Sequence, residues 1–214
     1  MTKKHDIMWL KSVDSTNNEA ARRISSLDNL SVVSAMSQSA GRGQRGNTWI
    51  SPSSENLTFS IIHKYATTEL PAKKQAAVSA IAAISIIDLL STFEIEAQIK
   101  WPNDVYVGEK KICGILMEHT ISGEYIRYSI VGIGLNVNQY NFDVSLPNPT
   151  SIVLCTGKSE QIDTKKCLDL FMDIYKRNLC LLKDKDFSRI YDLFVSKLRP
   201  TDSSLEDFNH ALLQ

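Results

Sequence analysis

Apolar positions along this chain switch between two periods, and the switches outline its elements. Residues 7–13 alternate as a half-buried strand does. Asp14-Ser15-Thr16-Asn17 then opens a helix predicted to run to about Leu27, with Thr16 and Glu19 spaced as a capping box. Residues 31–36 and 57–63 read as further strands, with Asn56 closing the turn before the second. Pro71 stands where a helix begins that should reach about Phe93. Its alanine, isoleucine, valine and leucine residues cover most of the circumference, so it is expected to lie buried against a sheet as scaffold. Residues 105–107 and 112–117 form two short strands around a Gly108-Glu109 turn. The second is apolar nearly throughout and is predicted to be buried on both faces. Ser122-Gly123 leads into a third antiparallel strand, 125–131. After a loop at 139–150 come two amphipathic helices, 163–182 and 186–198, ended by Arg199-Pro200. A short last helix is expected at 205–212.

Composition narrows the picture. With 214 residues, 43% of them apolar, the chain can fill one core, and one domain is the first expectation. Its formal net charge of +0 argues against a general nucleic-acid binder. Cys113, Cys155, Cys167 and Cys180 are widely spaced and His5, His63, His119 and His210 are isolated, which argues against zinc and for reduced thiols in a cytoplasmic protein. No apolar run near the N-terminus is long enough for a signal peptide. The longest one, 76–90, is interrupted by Ser79, Ser85 and Asp88 and is read as too short and polar for a membrane.

Three polar stretches carry candidate chemistry. Lys100-Trp101-Pro102-Asn103-Asp104 precedes the hairpin on which Lys111 sits, so Asn103, Asp104 and Lys111 can converge on one side of it. A lone lysine there is as often a solvated edge residue, but this grouping can hold an anion and a hydrated Mg2+ together. Residues 38–49, QSAGRGQRGNTW, contain Gly41-x-Gly43-x-x-Gly46. That spelling matches a dinucleotide fingerprint, yet the residues after it favour loop and extended chain instead of the helix the fingerprint needs. The stretch reads as a mobile loop whose Arg42 and Arg45 offer planar forks to carboxylate or phosphate, or as a plain surface hairpin. Finally, Gly132 and Gly134 interrupt a strand just before Asn136 and Asn138. Such glycines mark a bulge, the better reading on these residues alone, or the close approach of a ligand or backbone.

Taken in order, DSTN at 14–17, QSAGRGQRG at 38–46, KWPND at 100–104, KKICGIL at 110–116 and GIGLNVN at 132–138 closely resemble the biotin–protein ligases, over residues 5–198. The resemblance implies an α+β fold: a mixed, largely antiparallel sheet packed with helices, as in class II aminoacyl-tRNA synthetases. It implies a catalytic domain at 1–198, with 199–214 a short tail where many members carry a small β-barrel. It implies two half-reactions, in which biotin and ATP with Mg2+ give biotinyl-5′-AMP and a lysine of a biotin carboxyl carrier domain then accepts the biotinyl group. The site residues carry over one by one. Lys111, Arg42 and Asp104 would be catalytic, Asp104 also helping to hold Mg2+. Ser15, Thr16 and Gln38 would bond the ureido ring, with Asn17, Gly41, Arg42, Gly43, Gln44, Lys111, Gly114 and Gly132 completing the biotin site. Arg45, Trp49, Asn103 and Asn136 would meet the nucleotide, while Lys100 would be structural.

Two departures stand out. Gln44 occupies a position where members often carry arginine, which removes one cation from the adenylate, and the small barrel of many members is expected to be absent. No helix-turn-helix segment is read before the first strand, so DNA is not expected as a partner; the short, polar-interrupted apolar run likewise gives no expectation of a membrane, and a homodimer is left open. The rival readings are a lipoate or octanoate ligase of the same superfamily and a biotin sensor without catalysis. The polar Ser15, Thr16 and Gln38 set suits a ureido ring better than an alkyl tail.

Overall fold

The computed structural model describes residues 5–51 and 54–199, and of Arg45 the backbone alone. The chain runs β1 (Ile7–Val13), α1 (Thr16–Arg22), β2 (Val32–Gln38), β3 (Leu57–Lys64), α2 (Ala76–Ser91), β4 (Gln98–Lys100), β5 (Asp104–Val107), β6 (Lys110–Ser122), β7 (Tyr125–Leu135), α3 (Ile152–Thr156), α4 (Thr164–Lys183) and α5 (Phe187–Val195). The strands form one seven-stranded sheet in the order β1-β2-β3-β7-β6-β5-β4. Only β1 and β2 pair in parallel; every other neighbouring pair is antiparallel, so the sheet is mixed and largely antiparallel as expected.

The pleat separates two environments. Phe59, Ile61, Val131, Ile133, Cys113 and Ile115 face the main core, packed with α2, α4 and α5. Ala20, Val33, Ile62 and Ile130 form a smaller cluster beneath α1 on the opposite face. Strand β6 is therefore not buried on both faces. Its Cys113 and Ile115 enter the core, while Gly114, Leu116 and Glu118 stay partly exposed on the α1 side.

Helix α2 is buried nearly all round, as its composition required. Joined to the 3-10 turn at Ala72–Lys74, it spans Ala72–Ser91, long and apolar enough to cross a membrane by length and composition, contrary to the sequence reading; 72% of its apolar window is buried inside the fold. Helices α4 and α5 begin where predicted, because the Asp163 carboxylate accepts from the Lys165 and Lys166 N–H groups and Asp186 from that of Arg189. Helix α1 is shorter than expected. Ser15 occupies its cap position without a side-chain cap bond, Thr16 is bonded elsewhere, and Glu19 pairs with Arg22 and Arg23, so no capping box forms. The five-residue α3 escaped the sequence reading; Ser151 caps it and Gly157, at φ 65°, ends it. The predicted helix at 205–212, and the proposed tail apart from Arg199, lie outside the described residues.

His63 is fully inside the core, bonded to the Tyr175 hydroxyl at 3.0 Å, and burial lowers its pKa to about 3. The unfolded chain takes up a proton below pH ~6.5 and the folded chain does not, so stability should fall as pH drops from there towards 3. Urea midpoints at about pH 7 and 5 should show this, and His63→Phe should flatten the dependence.

Candidate active site

On the α1 side of the sheet, two rows of residues, small or polar except for Leu116, run across three strands. Thr58 pairs with Gly134 and Gly134 with Gly114; Ser60 pairs with Gly132 and Gly132 with Leu116. Register is unbroken through both β7 glycines; the irregularity of this pair lies at Thr120 and Ile121. There is no bulge at Gly132 or Gly134, then, and the glycines serve close approach. A Cβ on Gly132 would collide with the Asn17 amide, and one on Gly134 with the Trp49 indole. Thr58, Gly114, Leu116, Gly132 and Gly134 of these rows floor a cavity of about 280 Å³.

The first turn of α1 and the end of β2 make one wall. Ser15, Thr16 and Asn17 are buried. The Thr16 N–H donates to Gln38 Oε1 at 2.8 Å, which fixes that side chain. Ser60 Oγ lies 2.8 Å from Thr16 Oγ1 and 2.6 Å from Asn17 Oδ1, so the β3 floor is bonded to the helix above it. The Ser15 hydroxyl makes no cap bond and lines the cavity. Just outside, the Arg22 guanidinium, with Asn18, holds the Asp14 carboxyl well below the usual carboxylate range.

The hairpin of β5 and β6 makes the opposite wall. Lys111 Nζ stands 2.7 Å from an Asp104 carboxylate oxygen, with both side chains about a quarter exposed (31% and 21%). The Lys111 backbone is fixed on both sides, since its N–H donates to Asn148 and its carbonyl accepts from Thr150. Asn103 is a brace: its Nδ2 donates to the Ile115 carbonyl while its own carbonyl accepts from the Ile115 N–H. Lys100 rests its ammonium over the Tyr106 ring, 5.2 Å from the centroid, and reaches the cavity edge. Trp101-Pro102 is a cis peptide. Behind the hairpin, burial pushes the Cys113 thiol far up, which removes it as a nucleophile at neutral pH.

Residues 41–49 arch over the floor without forming a helix at the glycines. They include only a 3-10 turn at Gln44–Gly46, and the loop closes on itself through Gly43 N–H to Asn47 O and Trp49 N–H to Gly41 O. The Trp49 ring lies on Gly114 and Gly134, with Lys111 Nζ 5.7 Å from a ring centroid. It separates the first cavity from a second of about 360 Å³, which the 139–150 loop builds with Phe142, Leu146, Pro147 and Pro149. Lys111, Asp104 and Trp49 line both. Two open spaces thus meet at one ammonium–carboxylate pair.

The structure brings Ser15, Thr16, Asn17, Gln38, Arg42, Gly43, Gln44, Trp49, Asn103, Asp104, Lys111, Gly114 and Gly132 to the first cavity. Asn136 lines only the second, its Nδ2 donating to the Thr150 carbonyl. Gly41, the first residue of the arch, is buried, and a Cβ on it would meet the Trp49 carbonyl. The guanidinium of Arg42 is bonded to Glu118 and Asn18 and is not directed at Lys111 and Asp104. The Arg45 side chain lies outside the described part. Sequence reasoning missed Thr58 and Leu116, which line the cavity, and Ser60, which braces Thr16 and Asn17 from below. The only available signal was strand alternation, which places each two residues from another floor position. Among the described residues no group of three or more His, Cys, Asp or Glu side chains could hold a metal ion.

Comparison with known proteins adds an independent finding. The model of the biotin/lipoate A/B protein ligase family matches residues 9–136. A biotin–[acetyl-CoA-carboxylase] ligase of Paracoccus denitrificans is 30% identical over 190 residues, covering 88% of this chain and 79% of that protein. The bifunctional ligase/repressor BirA of Escherichia coli K12 is 31% identical over 145 residues, 68% of this chain and 44% of that one. Among solved structures, the biotin protein ligase of Aquifex aeolicus in complex with biotin and ATP aligns with TM-score 0.78 at 31% identity, over 90% of this chain and 78% of that chain.

Proposed function

Since this chain belongs to the biotin/lipoate A/B protein ligase family, we propose that it is a biotin–protein ligase, which activates biotin with ATP and passes it to a lysine of a carboxyl carrier domain. The observation that carries this reading is the Lys111–Asp104 pair at the junction of two cavities. A ligase of this kind must bring a carboxylate against an α-phosphate, two anions that repel in any site without fixed positive charge.

In this reading the first cavity takes biotin. The ureido ring offers one carbonyl acceptor and two N–H donors. Ser15 and Thr16 hydroxyls and the Gln38 amide nitrogen would complement it, because Gln38 Oε1 is already bonded to the Thr16 N–H. The second cavity takes the nucleotide, with Trp49 against the base, Asn136 near it, and Asn103 at the edge of the phosphates. The acid's carboxylate oxygen attacks the α-phosphorus, the bond to the β-phosphate oxygen breaks, and pyrophosphate leaves. Lys111 would neutralise charge on the transferred phosphate throughout. Mg2+ would arrive with ATP as part of the substrate; a single carboxylate, Asp104, suits an ion that keeps most of its waters and its phosphate ligands. The carrier lysine then attacks the mixed-anhydride carbonyl and AMP departs.

Incubation with ATP, Mg2+, biotin and a purified carrier domain, read by mass, tests the proposal. Biotinylation of one acceptor lysine is the expected result. Mass gain only with lipoate or octanoate would favour the sister activity, and biotin binding with no transfer would favour a sensor.

A second expectation concerns residues 39–48. Three glycines make this segment costly to order, so ligand should tighten it. Trypsin should cut after Arg42 or Arg45 in the free protein, and biotin with ATP should slow the cut several-fold. Equal rates with and without saturating ligand would remove the lid from the mechanism.

A further inference from the structure

Glu118 had no place in the sequence reading. In the fold it is the third member of the β6 row Gly114, Leu116, Glu118, so the pleat carries its side chain to the rim of the slot. Its Oε2 accepts from Asn17 Nδ2 at 2.7 Å. Its two oxygens face Arg42 Nη2 at 2.8 and 3.0 Å, and the same nitrogen donates to Asn18 Oδ1 at 2.8 Å. One carboxylate therefore joins three separately folded pieces: β6, the first turn of α1, and the arch at 41–49. The backbone bonds of the arch close on itself, so this side-chain junction is what ties its Arg42 corner to the sheet.

We infer that Glu118 is a latch: a positioning residue that holds the arch shut over bound ligand through Arg42 and sets the Asn17 amide beneath it. The inference rests on the ligase reading for its ligand and on geometry alone for the latch. Two physical features support it. Arginine on a phosphate-facing loop would ordinarily seek the phosphate, and here a protein carboxylate supplies the counter-ion, so closure has an electrostatic drive before any phosphate arrives. Bonding of Asn17 Nδ2 to Glu118 also leaves Asn17 Oδ1 directed at Ser60, the orientation that keeps the slot wall in register with its floor. The pair is partly exposed, 43% for the Arg42 side chain and 37% for Glu118. A pair so placed is weak and screened by salt, which suits a latch that must reopen for a carrier lysine.

Glu118→Gln keeps an acceptor for Asn17 and removes the charge that faces Arg42. The ligand-free variant should be cut by trypsin within the arch about two- to fivefold faster than the parent, the range an exposed ion pair sustains. Preformed biotinyl-AMP should dissociate faster by a similar factor. Raising NaCl from about 0.05 to 0.5 M should accelerate release from the parent and change release from Glu118→Gln much less. The rate of adenylate formation at saturating biotin and ATP should hold, as befits a residue that does not touch the reacting atoms. Glu118→Asp, with the charge on a shorter arm, should recover part of the retention. Wild-type trypsin sensitivity, release rate and salt dependence in Glu118→Gln would overturn the latch. Should the parent form no biotinyl-AMP, the ligase reading fails, and the ligand-free trypsin comparison still decides the latch.

Discussion

Replacing Lys111 with alanine should slow formation of the adenylate by at least ~100-fold, the scale for losing one preorganised charge at a reacting centre. The side chain stands where both cavities open, 2.7 Å from Asp104. Deleting it does two things at once. It removes the cation that offsets the approach of carboxylate to phosphate, and it leaves the Asp104 carboxylate without its counter-ion at that same point. Repulsion then acts among three anionic groups instead of two, in a partly enclosed site where screening is weaker than in bulk water. Fold should be preserved, because the strand is held there by backbone bonds to Asn148 and Thr150 that any residue can make. Lys110, exposed one position earlier, is the matched control and should tolerate alanine. Single-turnover adenylation with radiolabelled ATP reads the effect. A Lys111→Ala enzyme of near-parental rate would show that this lysine is a solvated turn residue after all.

How much of this site could be read beforehand depends on how local its signals are. Asp163 and Asp186 mark the starts of their helices by a cap chemistry confined to three residues, and both were legible. The hairpin that carries Asp104 and Lys111 was legible for the same reason, a turn glycine between two apolar runs. Thr16 shows the limit. Its spacing to Glu19 spells a capping box, but Ser60, 44 positions away in sequence, takes its hydroxyl instead. A long-range partner overrides a local motif whenever the helix end is packed on a sheet. Gly132 and Gly134 show the converse. On their own they suit a bulge, and only the arrival of Asn17 and Trp49 from other elements makes close approach the reason for them. Glu118 sits among Met117, His119 and Thr120, where it looks like any solvent-facing strand residue. Its meaning comes from Arg42, 76 positions earlier. The second cavity was invisible because the 139–150 loop that builds it has no period to read.

The glycine floor yields the other large effect. Gly134→Ala adds one methyl group to a strand whose backbone there is regular, so the strand itself should accept it. The methyl would nevertheless occupy the space of the Trp49 indole, overlapping its five-membered ring. A small tilt of Trp49 cannot relieve the overlap, because three ring atoms would lie 2.2–2.6 Å from the added methyl carbon. The indole must leave the floor, and its backbone, bonded to Gly41, draws the arch with it. The partition between the two cavities is then lost together with the surface that Trp49 gives the nucleotide. Overpacking of this kind costs about 1–3 kcal/mol, so KM for ATP and for biotin should each rise by roughly 10-fold or more. Gly114→Ala should do less, since a contact at 3.1 Å can relax by a few tenths of an ångström where an overlap cannot. The order Gly134→Ala worse than Gly114→Ala is the sharp form of the prediction. Tryptophan emission should shift to the red in Gly134→Ala and not in a Trp49→Phe background, which assigns the movement to this ring among the three tryptophans. Unchanged KM values alongside a lowered melting temperature would mean that Gly134 serves the strand and not the site.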